Sequence, residues 1–71
     1  MRQLVTVAGM LRYSSQFDYY LEADGGGYWL LDVPFSKTQQ VDDLLHSHVA
    51  VRGVQSGFAD LCVFTIEEQQ D

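Results

Sequence analysis

Two aspartates and two histidines crowd one stretch of the chain, Asp42-Asp43-Leu44-Leu45-His46-Ser47-His48. On a helix Asp42 and His46 lie four residues apart and Asp43 and His46 three apart, so either pair shares a face as metal ligands do. The bland reading fits the same residues. Aspartates on a short helix are solvated, and a histidine near a helix C-terminus is favoured by the dipole. Ligand spacing alone does not specify a metal, and no metal or other cofactor is expected.

Other stretches imitate reactive motifs and fail on their context. Gly25-Gly26-Gly27 could cradle a phosphate, but no Gly-Lys-Ser/Thr follows and the next segment reads as a strand, so no helix N-terminus faces an anion. Ser36-Lys37-Thr38 lacks the upstream glycines of a P-loop. Ser56 lies in Gly53-Val54-Gln55-Ser56-Gly57, which is not the Gly-x-Ser-x-Gly elbow, and no base is placed beside it. Cys62 reads as a small apolar residue of the last strand. No catalytic residue is assigned and no enzyme is expected.

The elements that would hold these residues are read from periodicity. Gln3 to Tyr13 is a strand with Gly9 inside it, where a bulge or sharp bend is expected. Phe17 to Asp24 alternates, with Phe17, Tyr19, Leu21 and Ala23 on the inner face and Asp18, Tyr20, Glu22 and Asp24 on the outer. Tyr28 to Val33 alternates too: Trp29, Leu31 and Val33 inward, Tyr28, Leu30 and Asp32 outward. The three glycines between them supply the reversal of a hairpin. With those glycines as the loop, Asp24 faces Tyr28, Glu22 faces Leu30 and Tyr20 faces Asp32, while Leu21 meets Leu31 and Tyr19 meets Val33.

Pro34 ends the third strand. Ser36 resembles an N-cap with Gln39 completing a capping box, and Val41, Leu44 and Leu45 lie on one side of a helix through Gln40 to His46. His48 to Gly53 is a strand with Val49 and Val51 inward, Gln55-Ser56-Gly57 a turn, and Leu61 to Ile66 a last strand apolar enough to be buried on much of both faces. The fold class is therefore all-β with one short helix, in the order β-β-β-α-β-β. That order fits a five-stranded, OB-fold-like β-barrel. The rival SH3-like barrel has no natural place for the helix.

Size and charge agree with one domain. The chain has 71 residues, 46% of them hydrophobic, and carries ten acids against four bases for a net charge of −6. Residues 1–66 form the barrel, and residues 67–71, Glu67-Glu68-Gln69-Gln70-Asp71, read as an acidic disordered tail. The body holds seven acids against Arg2, Arg12, Lys37 and Arg52, a net −3, with no basic stripe for phosphates. No apolar run reaches the roughly 18 residues of a membrane span. Arg2 and the apolar stretch Leu4 to Leu11 only loosely imitate an export signal, since Thr6 interrupts it and Arg12 follows. A cytoplasmic protein is expected. The single cysteine cannot form an internal disulfide.

The frame Val7-Ala8-Gly9-Met10-Leu11, Phe17-Asp18-Tyr19-Tyr20-Leu21-Glu22-Ala23-Asp24-Gly25-Gly26 and Tyr28-Trp29-Leu30-Leu31-Asp32-Val33 resembles a family of short bacterial OB-like domains of unknown function. Val49-Ala50-Val51-Arg52-Gly53, Ser56-Gly57-Phe58-Ala59-Asp60-Leu61-Cys62-Val63 and Ile66 continue the likeness. The resemblance implies the fold and carries over no catalytic residue.

Aromatic residues are the informative feature. Six of the nine, Tyr13, Phe17, Tyr19, Tyr20, Tyr28 and Trp29, fall between positions 13 and 29. Parity assigns Phe17, Tyr19 and Trp29 to the core. Tyr20 and Tyr28 lie outside with Leu30, Glu22 and Asp32, on the face where OB-folds often bind ligands. Cross-strand stabilisation of the sheet accounts for them equally well. The functional expectation is a non-enzymatic module that engages a protein partner, or itself, through this face. The alternatives are single-stranded nucleic-acid binding, favoured by fold analogy and opposed by charge, and an acidic mimic of nucleic acid that inhibits a DNA-binding protein.

Overall fold

A computed structural model describes residues 3–69. The strands are β1 (Leu4–Ser14), β2 (Asp18–Ala23), β3 (Tyr28–Asp32), β4 (His48–Gln55) and β5 (Asp60–Glu68), with a 3₁₀ turn (Phe35–Lys37) running into the helix α1 (Thr38–Asp43). They close into one barrel-like sheet in the order β1-β2-β3-β5-β4, with β4 returning to β1. All pairings are antiparallel except β3 with β5. This is the OB-fold-like, all-β arrangement that the order of segments predicted. No described helix is long and apolar enough to cross a membrane.

One long strand makes closure possible. β1 pairs with β4 from Leu4 to Met10 and with β2 from Gly9 to Ser14, so it changes partner around Gly9. A Cβ there would stand 2.0 Å from the Glu22 carbonyl oxygen and 2.9 Å from the Ala23 Cα. The backbones approach too closely for any side chain, which is why a glycine sits in the strand.

The core is aliphatic: Leu11, Leu21, Leu31, Val41, Val49, Val51, Leu61, Val63 and Ile66 are buried, and among the described residues no polar side chain joins them. Val5, Val7, Tyr19, Trp29, Val33, Leu44 and Leu45 pack around it, partly buried. Alternation thus put Leu21, Leu31, Val49 and Val51 on the correct side.

Several expectations are corrected. The β2–β3 register pairs Leu21 with Trp29, Tyr20 with Leu30 and Glu22 with Tyr28, two residues away from the register drawn from a Gly25–Gly27 loop. The Ala23 N–H donates to the Gly27 carbonyl at 3.1 Å, so Asp24 joins the three glycines in the loop between β2 and β3. All three glycines lie in the loop, and its positive φ angles, 100° and 76°, fall on Gly26 and Gly27. Parity survives because a two-residue shift keeps each side chain on its face.

The helix begins earlier and ends sooner than expected. It spans Thr38–Asp43, Ser36 lies within the 3₁₀ turn, and no side chain caps either start, so there is no capping box. Leu44 to His46 form a turn in which His46 has φ 70°. That turn hydrogen-bonds back onto β1, the His46 N–H donating to the Leu11 carbonyl at 2.8 Å. A partner on β1 replaces the next helical turn.

β5 is buried on one face only. Leu61, Val63 and Ile66 are inside, whereas Cys62, Phe64, Thr65, Glu67 and Glu68 are exposed. Opposite Arg52 and Gly53 the pairing skips from Thr65 to Val63, leaving Phe64 as the extra residue of a bulge that resets the alternation. Cys62, between the inward Leu61 and Val63, is exposed and not packed as an apolar residue of the interior. The expected tail is also shortened. Glu67 and Glu68 pair with Ala50 and Val49, and the Gln69 N–H donates to the His48 carbonyl at 2.8 Å. Backbone pairing with β4 holds this polar segment without any buried side chain. Residues 70 and 71 of that tail, and Arg2, lie outside the described residues.

Candidate functional site

The outer face of β1, β2 and β3 is set by register. Arg12, Tyr20 and Leu30 form one row across the strands, and Met10, Glu22 and Tyr28 the next. Tyr28 and Glu22 are exposed, Tyr20 and Leu30 half-buried, and Asp32 exposed at the end of β3. All five residues picked out from the sequence share the outward parity of their strands.

Phe17 joins them, contrary to the core position that alternation assigned to it. It precedes the first residue of β2, and Asp18 takes φ 59°, so the strand's alternation does not extend back to it. Its ring lies 6.0 Å from that of Tyr20 at 74° and 5.9 Å from that of Tyr28 at 30°. Phe17, Tyr20 and Tyr28, with Glu22 and Gly27, line a surface hollow of about 320 Å³. The signal that could have warned of this was position: Phe17 falls in the connection between two strands, where period-two reasoning has no hold. Tyr19 and Trp29, also assigned to the core, pack against it but remain half-buried.

Among the described residues, one charged side chain, Glu22, lines the hollow. Arg12 Nε donates to Glu22 Oε1 at 2.6 Å, and a second guanidinium nitrogen reaches His46 Nδ1 at 3.3 Å. Asp18 and Asp32 are exposed as well, but they line a separate hollow with Tyr13 and Tyr19. At the β3 edge the Leu30 N–H donates to the Ala59 carbonyl at 2.7 Å. This fastens the loop that carries Phe58, which is 98% exposed.

Three of the four residues with ligand-like spacing, Asp42, His46 and His48, are engaged by separate partners. The Tyr19 hydroxyl donates to Asp42 Oδ1, Arg12 engages His46, and His48 Nε2 lies 2.7 Å from Asp24 Oδ2. Among the described residues no three His, Cys, Asp or Glu side chains are grouped to hold a metal ion. Ser56 sits in the β4–β5 loop, its N–H donating to the Asp60 carbonyl at 2.9 Å.

Compared with models of protein families, with curated proteins and with solved structures, the chain matches none. The likeness to short OB-like domains rests on its residue frame alone, and the site's chemistry has to be argued from its own side chains.

Proposed function

We propose that the domain is a non-enzymatic interaction module that engages a protein partner, or a second copy of itself, through the β2–β3 face. In the same reading it works in the cytoplasm. The observation that supports this is the ring cluster of Phe17, Tyr20 and Tyr28 on the outside of the sheet, with Phe17 40% and Tyr28 51% exposed. Aromatic rings half in water are the side chains on which protein interfaces concentrate their binding energy, because they bury large rigid area at small entropic cost. The same rings could stack bases, but the charged side chain that lines their hollow is Glu22, which repels phosphates, and Arg12 is already paired with it.

The test is the double variant Tyr20→Ala/Tyr28→Ala. It is expected to stay folded while losing the proteins that the native domain retains, or its own self-association by light scattering. Leu21→Ala is the core control, since Leu21 is fully buried and its truncation should cost about 2–5 kcal/mol. A double variant that unfolds like Leu21→Ala, or one that binds as the native domain does, overturns the reading.

A further inference from the structure

The hollow on this face is chemically more specific than an apolar dent. Its walls are three aromatic rings of different inclination, and the fourth side chain lining it is the carboxylate of Glu22. Ring faces carry negative electrostatic potential and attract cations that approach within about 6 Å of the centroid. Tyr20 and Tyr28 each pack against Phe17, their centroids 6.0 and 5.9 Å from its own, and all three rings line the same hollow. A carboxylate on the rim adds the charge that rings alone lack.

From this geometry we infer that the hollow receives a lysine ammonium, free or methylated, on an extended segment of the partner protein. The inference rests on the protein-binding reading and specifies what the face recognises. Charge complementarity points the same way, because the chain's net charge of −6 draws in basic segments. Methylation strips water from an ammonium while keeping its charge, which lowers the desolvation cost of entering a ring-lined site.

The rim also holds a built-in competitor. Arg12 donates to Glu22 at 2.6 Å and so neutralises part of the attraction that an incoming ammonium would use. Removing Glu22's charge should therefore weaken binding, and removing Arg12's should strengthen it. A merely apolar hollow would respond to neither.

The experiment uses short Gly/Ser peptides carrying one lysine, one trimethyllysine or one leucine, titrated into the whole isotopically labelled domain and followed by amide NMR. The lysine peptides should move the signals of Phe17, Tyr20, Glu22 and Tyr28, with trimethyllysine binding tighter than lysine and leucine weakest. Tyr28→Ala should weaken trimethyllysine binding about fivefold. Glu22→Gln should also weaken it and Arg12→Gln should tighten it, with unchanged thermal unfolding as the fold control. If leucine binds this face as well as lysine does, the cation site is wrong and the protein-binding face stands. If no peptide moves these signals at millimolar concentration, the cation site is wrong, and the double tyrosine variant then decides the face itself.

Discussion

The Tyr19 hydroxyl donates to Asp42 Oδ1, joining β2 to the helix whose Val41 fills the core. The bond to the Asp42 carboxylate is the main reason that the phenol's pKa is pushed up from 10.0 to about 12. Burial and the charges of Asp42, Tyr13 and Asp18 add to it.

This pairing predicts an alkaline weakness. A phenol whose pKa is raised on folding stabilises the fold fully below pH 10, where it is protonated in both states. That contribution is lost as pH rises from about 10 to about 12, since only the folded state then holds the proton. Tyrosinate absorbance should show one late-titrating phenol. Asp42→Asn should bring that titration back toward 10 and flatten the alkaline fall in unfolding free energy.

Gly9→Ala is expected to be among the most damaging small substitutions in the chain. The added methyl would meet backbone atoms of Glu22 at 2.0 and 2.7 Å, and backbone cannot swing aside as a side chain can. Chemical denaturation should show a loss of about 3 kcal/mol or more. Gly25→Ala, where a Cβ meets nothing within 4 Å, should change stability by under about 0.5 kcal/mol.

Single-stranded DNA should not bind at physiological salt. Affinity for nucleic acid comes largely from Lys and Arg neutralising phosphates. Among the described residues the only such side chains are Arg12, Lys37 and Arg52, and Arg12 is already committed to Glu22. Anisotropy of a labelled oligonucleotide should stay flat. Micromolar binding that falls steeply with added salt would reverse this conclusion.

Cys62 should react with a thiol reagent in the native protein at a rate close to that of the unfolded chain, because it faces outward on β5. Protection until global unfolding would place it back in the interior and contradict its outward position between Leu61 and Val63.

Much of the barrel is a consequence of local pattern. Leu21, Leu31, Val49 and Val51 are inside because a strand sends alternate side chains to opposite faces, and that period is written in the residue order. The outward placement of Tyr20, Tyr28, Leu30, Glu22 and Asp32 follows from the same rule. What the order of residues does not contain is where a pattern is interrupted. Phe17 lies outside because Asp18 turns the backbone at φ 59° just after it, and Ile66 rather than Thr65 faces inward because the alternation is reset at Phe64. Nor does it contain partners distant in the chain. Arg12 stands 34 residues from His46 and ten from Glu22, and Tyr19 is 23 from Asp42. Only the folded chain brings these groups within bonding distance, so only the tertiary structure gives Asp42, His46 and His48 separate partners and gathers three scattered rings into one hollow.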